Sequence, residues 1–436
     1  LPLNGNPRED AQAREAFNAG AAALFVPEIE LENALTVLAN HGKNRRSRES
    51  EHPMARRHPA SPHLPVPAWA PTKVSGSAMS SLDRWFVKLA QANPQLRVRI
   101  GNPDELASNK MGATLALLKH RVNVPEPGVP ESTDGSVVTA LNEEAVAAAA
   151  LANKGGLNLI VSYEAFAVKM LGLIRQEIIF ARRQKELGQP PGWISIPLVV
   201  TSHTWENSKN EQSHQDPTIG EALLGEMSDT ARVLFPVDEN TACAALRAVY
   251  ASRGQVACVV VSKRDTPNHF SAAAAQSLIE HGAAHVAGDP STAQLQFVAI
   301  GAYQLEEALK AHARLEHHGL ASCITVVVEP GRLRIPRDEL EAAFVLGDES
   351  LQALFPPHLP RVLISHTRPE PMLGVLRRID SGPSKTRALG YINHGGTLDV
   401  AGMLIANRCT WVDAIYAAAQ VTGWNSSQAA AAATDA

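Results

Sequence analysis

Apolar runs of four to seven residues, rich in Val and Ile, recur along this chain with helix-like stretches between them. The clearest are 157–162, 194–200, 256–261, 322–328 and 361–365, and shorter or weaker ones lie at 96–100, 230–235 and 297–300. A strand that is apolar along its whole length, instead of at alternate positions, has to be covered on both faces. Helices placed between such strands supply both the cover and the crossover that parallel pairing requires. The chain is therefore expected to be α/β, with mostly parallel sheets flanked by helices on both sides.

The pattern also suggests divisions. Residues 11–40 are Ala-rich and can hold a helix or two, whereas 41–72 sets Lys43, Arg45, Arg46, Arg48, Arg56 and Arg57 among prolines. A basic, Pro-rich stretch of that kind reads as a solvated or partner-draped linker. The expected organisation is a helical segment and linker over 1–75, one α/β domain over 76–270 and a smaller one over 271–425. The small-residue tail 426–436 is expected to be disordered. Within the domains, helices are expected over 81–93 (capped by Ser80 or Ser81), 143–152, 163–186, 303–317 and 338–346.

With 436 residues, 45% hydrophobic and 19% charged, and a formal net charge of -4, the chain has no electrostatic bias toward nucleic acid or an anionic membrane. No apolar run reaches the length of a spanning helix, and no leader-like segment stands out near Leu1. Cys243, Cys258, Cys323 and Cys409 are scattered without metal-type or redox-type spacing. Reduced thiols and a cytoplasmic location are the expectation.

Function points to one polar stretch. The apolar run at 194–200 is followed by Ser202-His203-Thr204-Trp205-Glu206-Asn207-Ser208-Lys209-Asn210-Glu211-Gln212-Ser213-His214-Gln215-Asp216-Pro217, which has no hydrophobic period. Two upstream segments stand out in the same way: Asn102-Pro103-Asp104-Glu105-Leu106-Ala107-Ser108-Asn109-Lys110, and Leu141-Asn142-Glu143-Glu144 followed by Ser162-Tyr163-Glu164-Ala165-Phe166. Taken as bare residues, the first is an ordinary turn and helix start, and Asn142-Glu143-Glu144 is a helix first turn with acids suited to the dipole. Tyr163 and Phe166, one helical turn apart, could equally be core aromatics. In this order, however, the three segments resemble those of the phosphoketolase family of thiamine diphosphate enzymes, from about Leu96 to about Ala419.

The resemblance implies two three-layer α/β/α domains, the pyrimidine-binding and carboxy-terminal domains of the transketolase-like architecture. It implies thiamine diphosphate as cofactor, with Mg2+ or Ca2+ bridging the diphosphate. Glu143 matches the glutamate that activates the aminopyrimidine, and His214 matches a histidine near the reacting carbon. Glu105, Tyr163 and Phe166 match cofactor-facing positions. Ser108, Lys110, Tyr163, Asn207, Lys209, Asn210 and Lys263 match positions that hold substrate or phosphate. The chain departs from the family at Asn207 (glutamine there), Lys209 (histidine) and Lys110 (arginine), which leaves the sugar and the acceptor open. An arginine's two-pronged phosphate grip becomes a point charge with lysine.

The superfamily's Gly-Asp-Gly and following Asn, which supply oxygen ligands to the metal, have no counterpart; Gly288-Asp289-Pro290 and Gly347-Asp348-Glu349 lack the third glycine and the spacing. No metal ligand is therefore assigned to this chain, and the pyrophosphate-binding half is expected on a partner subunit, most simply in an α2β2 assembly. The resemblance then implies a subunit of a lyase that cleaves a ketose phosphate, with inorganic phosphate, to acetyl phosphate and an aldose phosphate. Two other readings stay open: two-carbon transfer to an aldose or biosynthetic acceptor, as in transketolase, and a non-catalytic scaffold.

Overall fold

The computed structural model describes residues 5–43, 59–104, 106–201, 203–206 and 211–434. The chain forms two compact units, 1–57 and 58–436. The first holds two helices, Ala11–Ala23 and Glu28–Lys43. Asp10 caps the former, its carboxylate accepting from the Gln12 and Ala13 N–H groups. The stretch 59–74, expected as linker, belongs to the second unit. There Asn93 exchanges hydrogen bonds with His63, Asn240 does the same with Ala70, and the Trp85 indole donates to the Pro65 carbonyl at 2.9 Å. Extended chain with several prolines can still be held rigidly when asparagine side chains satisfy its backbone.

The second unit is built on two large sheets and carries a two-stranded antiparallel one, Ser75–Ser77 with Asp265–Pro267. The larger has eight strands in the order Glu131–Ser132, His120–Arg121, Val137–Thr139, Val98–Asn102, Leu157–Tyr163, Ile196–Thr201, Val256–Val261 and Ala231–Leu234, every neighbouring pair parallel. The smaller has five: Ala283–Ala287, Ser322–Val327, Leu295–Ile300, Arg361–Ser365 and Thr386–Leu389. All pair parallel except the antiparallel edge strand Ala283–Ala287. The expected division at 270/271 separates these two sheets, and both lie within the one compact unit.

Strand geometry explains the continuous apolar runs. Alternate residues point to opposite faces, so Leu159, Val161, Val259 and Val261 enter one core with the helices Ala78–Ala92 and Glu239–Ala251. Ile160, Leu198, Val200, Cys258 and Val260 enter the other, against Glu143–Leu151 and Leu171–Glu186. Each core continues across the second sheet, through Phe297 and Ile324 on one side and Val298 and Val327 on the other. All six residues of Val256–Val261 are buried. Each such side chain contributes roughly 1.5–3 kcal/mol, so a single Val259→Asp exchange would place an unpaired charge between helix and sheet.

Four local expectations need correction. The first helix of the body starts at Ala78, because the Ser77 hydroxyl, not Ser80 or Ser81, accepts the Ser80 N–H. The helix expected over 163–186 is broken into Glu164–Ala167, a 3-10 turn Val168–Met170, and Leu171–Glu186. The helix expected over 338–346 is a single turn, Glu339–Ala342, capped by Asp338. The tail expected to be disordered is helical over Ser426–Thr434, with Ala429 and Ala432 buried against the body. A run of alanines has good helix propensity and needs only a small apolar stripe to dock.

Candidate active site at the carboxyl ends of the strands

In a parallel sheet, the loops leaving the carboxyl ends of the strands converge on one edge, and ligands of open α/β sheets bind there. Five strands of the larger sheet deliver the expected side chains to that edge. Ser108 and Lys110 follow Val98–Asn102, and Glu143 opens the helix after Val137–Thr139. Tyr163 ends Leu157–Tyr163, His214 lies in the segment after Ile196–Thr201, and Lys263 follows Val256–Val261.

Their side chains form one contiguous cluster. The Phe166 ring lies 6.1 Å from Tyr163, and the His214 ring meets its edge at 4.7 Å and 64°. The Tyr163 hydroxyl and the Ser108 hydroxyl are 2.7 Å apart. Lys263 stands over the Tyr163 ring at 5.2 Å and donates to the Ser108 carbonyl at 3.4 Å. At the outer margin Lys110, with a positive φ of 59°, pairs with Asp265 at 3.8 Å. The glutamate Glu143 is mostly covered and accepts from Lys169 Nζ at 3.1 Å. Lys169 also sits 5.0 Å from the Phe166 ring centroid. Aromatic faces favour cations at such distances. Glu105, Asn207, Lys209 and Asn210, also expected here, lie outside the described residues.

Sequence reading does not include Lys169, and the reason is the broken helix. The 3-10 turn Val168–Met170 redirects the chain, so Lys169 meets Glu143 on a different element. Only its i+3 spacing from Phe166 was a signal. Two further groups, both within the quoted segments, add to the site. Asn109 is fully buried at the edge, and its Nδ2 has no hydrogen-bond partner among the described residues. Glu206, within the polar stretch, is buried, and its carboxylate accepts from the Lys263 N–H and the Tyr303 hydroxyl, both at 3.0 Å. Burial pushes the Glu206 carboxyl up, against the pull of its hydrogen bonds from Ser262, Lys263 and Tyr303.

Behind the aromatic turn stands a buried brace. Glu164 accepts from Thr204 Oγ1 at 2.6 Å and pairs with His366 Nε2 at 2.8 and 3.1 Å. His366 follows Arg361–Ser365 of the smaller sheet, and its carbonyl takes the Trp205 indole N–H at 3.0 Å. Tyr391 donates to the Gln215 carbonyl at 2.8 Å, and Arg368 pairs with Asp216 and Glu221. The smaller sheet thus fixes both ends of the polar stretch that begins and ends beside the site. Among the described residues, no group of three or more His, Cys, Asp or Glu is arranged to hold a metal ion.

Residues 80–252 match the family model for D-xylulose 5-phosphate/D-fructose 6-phosphate phosphoketolase. Over those residues the chain is similar to the phosphoketolase family. Similar curated relatives include a "probable phosphoketolase" of Streptomyces avermitilis, 26% identical over 349 residues, covering 77% of this chain and 42% of that protein. Another, from Lactococcus lactis subsp. lactis, is 26% identical over 292 residues, covering 64% and 35%. The chain thus spans less than half the length of these relatives. In fold it is similar to a transketolase from Leishmania mexicana, with TM-score 0.61 and 18% identity over 81% of this chain and 46% of that one. It is also similar to a split-gene transketolase described as an inactive beta4 tetramer, with TM-score 0.53 and 14% identity. That match covers 82% of this chain and 98% of the other.

Proposed function

We propose that this chain is the pyrimidine-binding component of a thiamine diphosphate-dependent, phosphoketolase-like lyase whose pyrophosphate-binding half lies on a partner polypeptide. The observation that carries the reading is the single cluster of Glu143, Phe166, Tyr163, His214, Ser108 and Lys263 at the carboxyl edge of the larger sheet. The residues present fit the pyrimidine end of the cofactor: a covered carboxylate, two aromatic faces, and in Asn109 a buried donor with no partner among the described residues. They offer no matching donor set for the diphosphate and its metal, so Mg2+ or Ca2+ ligands would come from the partner. The likeness to a split-gene transketolase over almost the whole of that chain supports a two-component arrangement, with α2β2 as its simplest form.

When bound, thiamine diphosphate supplies the nucleophilic carbon that cleaves a ketose phosphate. Glu143 would hold or release a proton at the pyrimidine ring nitrogen through its Oε atoms, and Lys169 would orient that carboxylate. Phe166 and Tyr163 would wall the ring and exclude water. His214, fixed edge-on to Phe166, would hand a proton to the departing hydroxyl of the substrate. Lys263, with Lys110 at the margin, would hold the sugar phosphate, and Lys209, Asn207 and Asn210 would join them from the same polar stretch.

The test is an assay of the assembled enzyme with xylulose 5-phosphate or fructose 6-phosphate, inorganic phosphate and candidate aldoses. Phosphate consumption with formation of acetyl phosphate is expected. Two-carbon transfer to the aldose without phosphate uptake would replace the lyase reading with a transketolase-like one. Full activity after Glu143→Ala would favour the scaffold.

A further inference from the structure

Away from the site, a cavity of about 310 Å³ opens between the helices Glu239–Ala251 and Ala272–His281. It lies at the other end of the larger sheet. Arg232 is the second residue of the strand Ala231–Leu234, and Ser252 precedes the strand Val256–Val261, so both lining residues sit near amino ends. The site occupies the carboxyl ends, which puts roughly 15–20 Å of strand between them.

Three arginines line this cavity: Arg232, Arg247 and Arg332. Glu329 takes Nε and Nη2 of Arg232 at 2.6 and 2.8 Å and Nε of Arg332 at 2.9 Å. It is almost wholly buried, and so is Arg232. That single carboxylate is therefore shared by two guanidinium groups, and Glu280 at the rim supplies the other negative charge. Three positive charges against two negative ones leave a surplus of one.

Arg247 is the exceptional member. It makes no ion pair or hydrogen bond with the described residues, and its Nε is buried without a partner. A buried donor left unpaired costs about 1–3 kcal/mol, more when charged. Beside it Ala244, Ala248 and Ala251 share one helix face and keep the wall shallow. Larger side chains there would close the space. The cavity thus combines an uncommitted guanidinium, a net positive lining and room for a small uncharged body.

We propose that this cavity binds a small phosphomonoester or inorganic phosphate, held by Arg247 with Arg232 and Arg332, at a second site between the two sheets. Planar guanidinium forks match phosphate oxygens two at a time. Because the cavity lies between one helix of each sheet, its occupant braces the two sheets against each other and is suited to a regulatory role.

The experiment is calorimetric titration of the full chain with inorganic phosphate and with glycerol 1-phosphate, using succinate as a carboxylate control. Wild type and Lys263→Ala should bind phosphate alike at this site. Arg247→Ala, which removes no hydrogen bond to a described residue, should weaken it about tenfold or more. Ala248→Leu should weaken it similarly by filling the cavity. Unchanged binding in Arg247→Ala, loss of all binding in Lys263→Ala, or equal affinity for succinate would each overturn the proposal. Because Lys263→Ala acts on the site and Arg247→Ala on the cavity, failure here is separable from failure of the lyase reading.

Discussion

The carboxyl edge of the larger sheet and the seam between the two sheets use the same residue types in opposite ways. At the edge, Glu143 and Lys169 form a pair whose lysine is well exposed, and Lys110 meets Asp265 with both side chains largely in solvent. At the seam, Arg232 and Glu329, and Glu164 and His366, are almost completely buried, and each carboxylate is satisfied by more than one partner. Glu341 belongs there too: its carboxylate accepts from the Ser228 and Arg337 N–H groups and from the Arg337 guanidinium. Exposed pairs contribute little to stability and can exchange partners cheaply. Buried pairs are costly to break and fix geometry. The seam holds the frame so that the edge can stay open to a ligand.

The sharpest way to break this contrast is Glu329→Ala. It leaves Arg232 and Arg332 without the buried carboxylate that they share and should cost about 3–5 kcal/mol in denaturant unfolding. A loss below about 1 kcal/mol would mean that the seam is no more committed than the edge.

Acid titration should come next. Burial alone would raise the Glu341 carboxyl, but hydrogen bonds from Arg337 and Ser228, with the nearby Arg334 charge, hold it at about 2. Its folded value is thus below the unfolded one, near 4.5. Its stabilisation is fully present above that value and is lost as pH falls from there toward about 2. The loss should amount to about 3 kcal/mol. Glu341→Gln should flatten that part of the pH–stability curve.

Glu143→Gln should behave in the reverse manner. Unfolding should shift by less than about 1 kcal/mol, while turnover of the assembled enzyme should fall about 100-fold or more. The smallest effect is expected for Lys169→Met, at or below about 1 kcal/mol in stability because the lysine is exposed. If Lys169→Met cost as much as Glu329→Ala, edge and seam would no longer differ.

How much of this was legible in advance varies with the range of the interaction. The α/β class followed from uninterrupted runs such as 256–261, because a strand buried on both faces has no polar side to show. The resemblance marked Glu143, Tyr163, Phe166, His214 and Lys263 by local wording, and these do lie within one cluster. Lys169 escaped because a 3-10 turn, not a continuous helix, carries it back to Glu143. Glu164 escaped because its partner His366 stands 202 residues away.

The sequence by itself determined the alternation of strand and helix, and with it the edge at which a ligand can bind, since apolar period and strand direction are local properties. Only the tertiary structure decided which carboxylates are spent on holding the sheets together and which remain available to chemistry. That distinction depends on burial and on partners far apart in the chain, which no local pattern of residues encodes.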